Sequence, residues 1–288
     1  MKKLLIIDGN AYIHRAYHAL PSLFTSNNEQ VNAVYGFVRF LFKIKDNFYP
    51  DFIVVCFDYP SKNFRHKMFE DYKKNRKPLD DGLISQMSIA KEAVMALNIA
   101  QLEVKGYEAD DLIATVIHNN KKKSDMQIFI VTADKDILQL IEDESVFVWN
   151  DSKNIMYDTS RVEEKYGVKP KQLTDLFALM GDVADNIPGI NGIGRIRAVK
   201  LIRKFGSLEN ILQSVNFIKG NLNKLIKDGK NKAILSKKLM ELNKQVPLDC
   251  RLEQFKTRDL NVNSIIPFFE KYEFKSFLKK HFLKENKF

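Results

Sequence analysis

The sequence predicts an α/β fold with a mostly parallel central sheet flanked by helices, because buried-strand patterns alternate with helical ones along the chain. Three short apolar runs rich in branched residues are typical of parallel strands covered on both faces, at 4–7, 52–57 and 128–131. A weaker strand candidate spans 99–104. Apolar residues that have the spacing of a helix packed on a sheet stand at 83, 87, 90, 94 and 97.

Length, composition and charge narrow the class of protein. The 288 residues suffice for one large domain or two smaller ones, and no apolar run reaches the roughly 20 residues of a membrane span. The first apolar run ends at Asp8 without a small-residue cleavage site, which predicts a strand and not a signal peptide. Two cysteines without CxxC spacing fit a reducing cytoplasm and argue against zinc or disulfides. The net charge of +10 indicates a polyanionic partner, and it favours nucleic acid over an anionic membrane surface.

Acidic residues follow the carboxyl ends of all four strand candidates. Seven of them stand directly or shortly after a strand: Asp8, Asp58, Glu108, Asp110, Asp111, Asp134 and Asp136. In a parallel α/β sheet the loops at these strand ends share one edge, and ligands bind there. We therefore expect the seven carboxylates to converge.

The crowded acids of the stretch GYEADDLIAT, residues 106–115, have two interpretations when this stretch is taken alone. Acids favour the first turn of a helix, so these residues could be helix caps. However, carboxylates within about 4–6 Å of one another would take up protons unless cations lay among them. Four strand ends with acids favour a metal site, and oxygen ligands without His or Cys select Mg²⁺ or Mn²⁺. Two ions about 4 Å apart could activate water and stabilise a leaving oxygen in phosphoryl displacement.

The segment 62–77 is basic, with seven Lys or Arg against two acids and with three aromatic residues between them. Taken alone, such a run is equally compatible with a solvated basic helix that has no binding role. Beside a carboxylate cluster it favours a mobile gate for a single strand or a free 5′ end, because Lys and Arg bind phosphate while aromatic rings stack on unpaired bases.

A glycine-rich hairpin lies within residues 180–207. Asp182 and Asp185 are three residues apart and share one face if the turn there is helical. The spacing GxxGxG excludes the dinucleotide-binding fingerprint, and no GK[ST] follows as a P-loop requires. The glycines could serve packing in an ordinary helix–turn–helix corner. The basic helix that follows favours a second interpretation, in which the backbone approaches the phosphates of a duplex irrespective of its sequence.

Six motifs occur in a fixed order: IDGN…HRAYHAL, CFD, FRH…DYKKNR, GYEADDLIAT, VTADKD and GDVADNIPGINGIG. In these motifs the sequence resembles the bacterial 5′ nucleases, above all the 5′→3′ exonuclease domain of DNA polymerase I, with kinship to flap endonucleases. The resemblance implies a PIN-like nuclease domain at 1–165 with a helical arch at about 60–82. It further implies a helical DNA-binding domain at 166–288 with a helix–hairpin–helix at about 173–206.

The resemblance also implies roles for individual residues. One Mg²⁺, near the attacking water, would be held by Asp8, Asp58, Glu108 and Asp110. A second Mg²⁺ would be held or supported by Asp134, Asp136, Asp182 and Asp185, with Asp111 nearby. Mn²⁺ would substitute for either ion. The basic residues that engage the scissile phosphate would be Arg65, Lys73 and Arg76.

Nucleic-acid contacts are implied for a further set: Tyr72, Lys74, His14, Arg15, Gly189, Gly192, Gly194, Arg195, Arg197 and Lys200. A K⁺ ion is expected between the hairpin and the duplex backbone. Three features depart from the family pattern. His14 stands where many relatives carry Tyr, and Val183 and Ala184 stand where smaller or hydroxylic residues are common. GIGRIRA replaces the usual GxKTA, with Arg195 and Arg197 gained.

The implied function is that of a monomeric, structure-specific 5′→3′ exonuclease and flap endonuclease acting in primer removal and DNA repair. Its partners would be nicked, flapped or 5′-ended duplex DNA and RNA primer–DNA hybrids, and its products would carry a 5′-phosphate. Two alternatives remain open from the sequence. One is a duplex-DNA-binding homologue without catalysis, and the other is a structure-specific ribonuclease.

Overall fold

A computed structural model describes residues 1–121 and 125–282. The strands are β1 (Lys2–Asp8), β2 (Phe52–Cys56), β3 (Ala100–Leu102), β4 (Met126–Val131), β5 (Val146–Asn150) and β6 (Ile155–Tyr157). The helices of the first half are α1 (Gly9–Ala19), α2 (Asn32–Phe48), α3 (Phe64–Met68), α4 (Asp81–Ala96) and α5 (Ala109–Asn120). Those of the second half are α6 (Thr159–Tyr166), α7 (Leu173–Met180), α8 (Arg195–Phe205), α9 (Leu208–Gln213), α10 (Asn221–Met240), α11 (Val262–Lys271) and α12 (Lys275–His281).

The six strands form one sheet in the order β3-β2-β1-β4-β5-β6. Strands β1 to β5 pair in parallel, and β6 pairs with β5 antiparallel. The mostly parallel sheet is therefore confirmed, and the four predicted strands are β1, β2, β3 and β4. Two strands were not predicted from the sequence: β5, whose alternate residues are buried, and β6, which is a three-residue edge strand.

Both faces of the sheet are covered, as expected for parallel strands. Alternate residues of β1 enter opposite apolar layers: Leu4 and Ile6 face one, and Leu5 and Ile7 face the other. All four side chains are fully buried. The layer on the Leu5 side contains α1, α2 and α4, and the layer on the Leu4 side contains α5 and the helical region from α7 to α10.

The C-terminal helices return to the first half of the chain. Ile265, Phe269 and Phe277 of α11 and α12 belong to the same apolar layer as Leu5. A β-bridge joins Phe52 to Lys256. The last part of the predicted second domain thus packs on the α/β core of the first half, and its residues 283–288 lie outside the described ranges. The division at 165/166 stays a prediction.

Two local predictions differ from the structure. The arch is helical only over α3, and turns follow at 70–75, where Lys73 takes a left-handed φ of 57°. The turn between Asp182 and Ile187 is not helical: the two residues exchange backbone hydrogen bonds of 2.9 and 2.7 Å, and Asn186 has a φ of 56°. Asn tolerates this left-handed conformation better than most residues, which allows a tight hairpin turn there. Among the described residues, no helix has both the length and the apolar composition needed to cross a membrane.

Candidate metal centre

Acids from separate strand ends line one cavity of about 850 Å³ at the carboxyl edge of the sheet. Five of the predicted ligands lie in its wall: Asp8, Asp58, Glu108, Asp110 and Asp134. A recess beside it is lined by Glu108 and Asp110 again, together with Asp136 and Asp185. The structure therefore brings together acids that are up to 177 positions apart in the chain (from 8 to 185).

A second group of acids lies next to this cavity. Carboxylate oxygens of Asp136, Asp182 and Asp185 are all within 4.8 Å of one another, a spacing that one cation can bridge. Oδ1 of Asp136 is buried and has no hydrogen-bond partner among residues 1–121 and 125–282. A buried carboxylate oxygen without a partner is costly, and a hard divalent cation would satisfy it. The residues present thus fit a metal ion.

Local hydrogen bonds orient the individual acidic side chains. Asp8 caps α1 by accepting from the backbone N–H of Ala11 at 3.1 Å, and it also accepts from the hydroxyl of Thr132 at 2.8 Å. Asp58 accepts from the backbone N–H of Ala109 at 2.7 Å, at the first turn of α5. The helix-capping interpretation of residues 106–115 also holds in part, because Glu108 is the N-cap residue of α5 and Asp110 and Asp111 lie in its first turn. Capping uses only part of the hydrogen-bonding capacity of such carboxylates.

Burial, together with the neighbouring carboxylates, raises the pKa of several of these carboxyl groups. Burial, together with the charges of Asp58 and Asp134, raises the pKa of Asp8 to about 7. Burial, followed by Asp134 and Asp8, raises the pKa of Asp110 well above its ordinary value. Burial and then Asp134 raise the pKa of Asp136 to about 8. A divalent cation among these groups would favour their ionised forms.

These pKa shifts predict a pH-dependent stability of the metal-free protein. The pKa of Asp136 rises from 3.8 to about 8 on folding. The stability that the protonated Asp136 contributes to the folded state is therefore fully present below pH 4 and is lost as the pH rises through 8. In EDTA at pH 9, the neutral Asp136→Asn variant should be more stable than the wild type by on the order of 1 kcal/mol or more. At pH 4 the difference should vanish. Thermal unfolding at both pH values measures it, with exposed Asp228→Asn as control; an equal difference at both would contradict the assignment.

Basic side chains neutralise part of the acidic cluster. Nζ of Lys73 contacts Oε1 of Glu108 and lies 3.9 Å from Oδ2 of Asp185. Nη2 of Arg76 lies 2.6 Å from Oδ1 of Asp185. Two of the three basic residues expected near the scissile phosphate, Lys73 and Arg76, are therefore at the acidic site. A metal ion at Asp185 would have to displace Arg76 or share the carboxylate with it.

Lys135 is a site residue that was not predicted from the sequence. Its Nζ lies 2.8 Å from Oδ2 of Asp182. The available signal was its position between Asp134 and Asp136 in VTADKD, where a cation neighbours two acids. It keeps one carboxylate of the second group partly neutralised.

Three predicted site residues have a different place in the structure. Arg65 is only 1% exposed and donates to both oxygens of Asp111 at 2.8 Å, so it cannot contact a phosphate in this conformation. Asp111 is fully buried and its two oxygens are occupied by this pair, so it does not face the acidic cavity. Tyr72 is buried too and donates its hydroxyl to Glu108 at 3.1 Å, which leaves its ring unavailable for stacking on a base.

The other predicted contacts in the first half of the chain are spread over the surface. His14 lines the acidic cavity, with its ring 4.5 Å from that of His18. Lys74 is exposed and pairs with Asp71 at 2.8 Å. Arg15 pairs with Asp151 at 3.0 Å and lines a different cavity. The structure thus brings His14, but not Arg15, to the acidic site.

The hairpin between α7 and α8 contains two kinds of glycine. Gly189 is buried, and its N–H donates to the hydroxyl of Ser236 at 3.0 Å, so this N–H is not free for a phosphate. Gly192 and Gly194 are exposed. The basic residues Arg195, Arg197 and Lys200 are exposed along the first turns of α8. The exposed glycines and the basic helix start therefore form one surface.

Two protein-family models match consecutive parts of the chain. The family model described as "5'-3' exonuclease, N-terminal resolvase-like domain" matches residues 3–167, and "5'-3' exonuclease, C-terminal SAM fold" matches 168–263. A 5'-3' exonuclease of Aquifex aeolicus is 37% identical over 97% of this chain and 95% of its own. DNA polymerase I of Caldicellulosiruptor bescii is 40% identical over 98% of this chain and 34% of its own, so the chain spans about a third of that relative.

A solved structure supports the fold. The D15 flap endonuclease of bacteriophage T5, in complex with DNA and metal ions, superposes with a TM-score of 0.70 at 19% identity. The match covers 94% of this chain and 98% of that one. At this identity the likeness shows a shared fold, including both the sheet and the helical region.

Proposed function

The chain belongs to the 5′-3′ exonuclease family, and on this premise we propose that it is a Mg²⁺-dependent 5′ nuclease that cuts DNA at 5′ ends, nicks and flaps. The observation that carries the proposal is the convergence of acids from separate strand ends and the hairpin beside two cations of the arch. Such a pocket suits phosphodiester cleavage, in which positive charge must be placed around a phosphate.

The carboxylates would hold two divalent cations in two groups. The first group is Asp8, Asp58, Glu108, Asp110 and Asp134, and the second is Asp136, Asp182 and Asp185. Bound divalent ions supply Lewis-acid chemistry, lowering the pKa of water and neutralising charge on phosphate oxygens. Oxygen ligands without His or Cys suit Mg²⁺, with Mn²⁺ as a substitute.

The protein's own cations would neutralise the substrate. Lys73 and Arg76 are held at the acidic site by Glu108 and Asp185, at the edge of the cavity. From there they would bind the oxygens of the scissile phosphate and stabilise its growing negative charge. Attack of water on the phosphorus would form a new P–O bond and break the bond to the 3′ oxygen, which takes up a proton. The products would be a 5′-phosphate and a 3′-hydroxyl.

Duplex DNA would bind along the surface made by the exposed hairpin glycines and the start of α8. Backbone N–H groups at a helix N-terminus, followed by Arg195 and Arg197, suit the phosphates of a duplex without reading its sequence. The T5 flap endonuclease that shares this fold was solved in complex with DNA, which supports DNA as the partner. RNA primer–DNA hybrids as substrates, a K⁺ ion at the hairpin, a monomeric state and a cytoplasmic location complete the proposal.

A cleavage assay on matched substrates tests the proposed function. The wild type is incubated with Mg²⁺, Mn²⁺ or EDTA and end-labelled DNA flaps, nicked duplexes and structured RNA. We expect 5′-phosphate products from the DNA flap, and a loss of at least about 1000-fold in EDTA. If the protein binds the duplex but cuts nothing with either metal, it is a non-catalytic DNA-binding homologue. Preferential cutting of the RNA would instead identify a ribonuclease.

A further inference from the structure

Arg65 is a fully buried cation that joins three parts of the chain. It lies on α3 at the base of the arch, and its side chain reaches both the first turn of α5 and the end of α10. Only 1% of the residue is exposed. A charged side chain in such a place requires partners for each of its donors, because an unpaired buried charge is strongly destabilising.

All five N–H groups of the guanidinium have an acceptor. Nη1 donates to Asp111 at 2.8 Å and to Glu108 at 3.1 Å. Nη2 donates to Asp111 at 2.8 Å and to the carbonyl oxygen of Glu241 at 3.0 Å. Nε donates to the carbonyl oxygen of Leu239 at 2.8 Å. A guanidinium has five N–H donors, so none is left for a substrate phosphate.

These contacts bear on the acids of the metal centre. Glu108 is the N-cap of α5, and Asp111 lies in its first turn, where it closes a capping box with Glu108. Arg65 therefore fixes both ends of the turn that also carries Asp110. Its bonds to the carbonyl oxygens of residues 239 and 241 tie the same turn to the helical region.

We propose that Arg65 is a positioning residue for the metal centre, which orients Glu108 and the α5 turn carrying Asp110 and does not touch the substrate. This role rests on the proposed function, because it requires that the carboxylates hold a divalent cation. It replaces the expectation, drawn from the family resemblance, that Arg65 engages the scissile phosphate. Partners that orient metal ligands change metal affinity or activity about 10–100-fold when they are substituted.

Binding of Mn²⁺ in the absence of DNA separates the two roles. Arg65→Lys keeps the charge but cannot make the paired bonds to Asp111, so we expect its Mn²⁺ affinity to fall about tenfold or more. Excess Mn²⁺ should restore much of its flap cleavage. Calorimetric or spin-resonance titration gives the affinity. Unchanged Mn²⁺ affinity combined with lost cleavage that excess metal does not restore would overturn the proposal and favour phosphate contact.

Further variants keep the test decisive if Arg65→Lys folds poorly. Asp111→Asn preserves shape and weakens the same pair, so it should also lower Mn²⁺ affinity; wild-type affinity in this variant would overturn the proposal. The exposed Lys67→Gln, two residues away on α3, is the matched control and should bind Mn²⁺ like the wild type. Flap cleavage by the wild type is measured in parallel, so that failure of the proposed function is seen separately from failure of the role of Arg65.

Discussion

Asp110→Asn is expected to lower the rate of flap cleavage by about three orders of magnitude while leaving duplex binding in place. Asp110 lines both the large cavity and its recess, next to the second group of acids. It is therefore placed to contact an ion in either position. The side chain of Asn has the same shape as that of Asp, but it lacks the negative charge that holds a divalent cation there. The surface assigned to duplex binding, at the hairpin and α8, is unchanged.

The same substitution should not weaken the fold. Burial and the charges of Asp134 and Asp8 disfavour ionisation of Asp110, so a neutral Asn relieves repulsion in the metal-free protein. Cleavage is measured with Mg²⁺, binding with Ca²⁺, and unfolding in EDTA. Asp81→Asn, at an exposed acid in the first turn of α4, is the matched control and should cleave like the wild type. Cleavage by Asp110→Asn within tenfold of the wild type would show that Asp110 holds no essential ion.

The convergence of the acids was predictable because it follows from topology. Apolar runs identified β1, β2 and β4, and parallel strands put the residues after them on one edge of the sheet. Asp8 is the last residue of β1, and Asp58 and Asp134 come soon after β2 and β4.

The roles of Arg65, Asp111 and Tyr72 were not predictable in this way. The orientation of Arg65 depends on the end of α10, whose carbonyl oxygens at 239 and 241 accept from its guanidinium, 174 and 176 positions earlier in the chain. Asp111 is held in turn by Arg65, and Tyr72 by Glu108. A sequence pattern places Arg65 among basic residues of the arch but does not say whether it points inward. The same limit applies to the hairpin turn after Asp182, where proximity of the acids was right although the turn is not helical.

Two glycines of the hairpin, Gly189 and Gly194, differ in the physical reason for which a side chain is absent. Gly189 has a φ of 59°, and a Cβ there would contact the backbone of Met180 and lie 2.7 Å from Cα of Gly181. Gly194 has an ordinary φ of −87°, and no heavy atom lies within 4 Å of an added Cβ. The first glycine is required by packing within the hairpin, whereas the second leaves space that a ligand can approach.

Gly189→Ala is therefore expected to destabilise the protein by about 2–4 kcal/mol, the sum of left-handed backbone strain and a clash with backbone that cannot move freely. Gly194→Ala should change the free energy of unfolding by less than about 0.5 kcal/mol, as exposed positions usually do. It should instead weaken duplex binding, because a methyl group would separate the backbone from the phosphates. Urea unfolding and duplex titration of both variants measure these effects. Equal stability losses would refute the packing argument, and unimpaired binding by Gly194→Ala would place the duplex elsewhere.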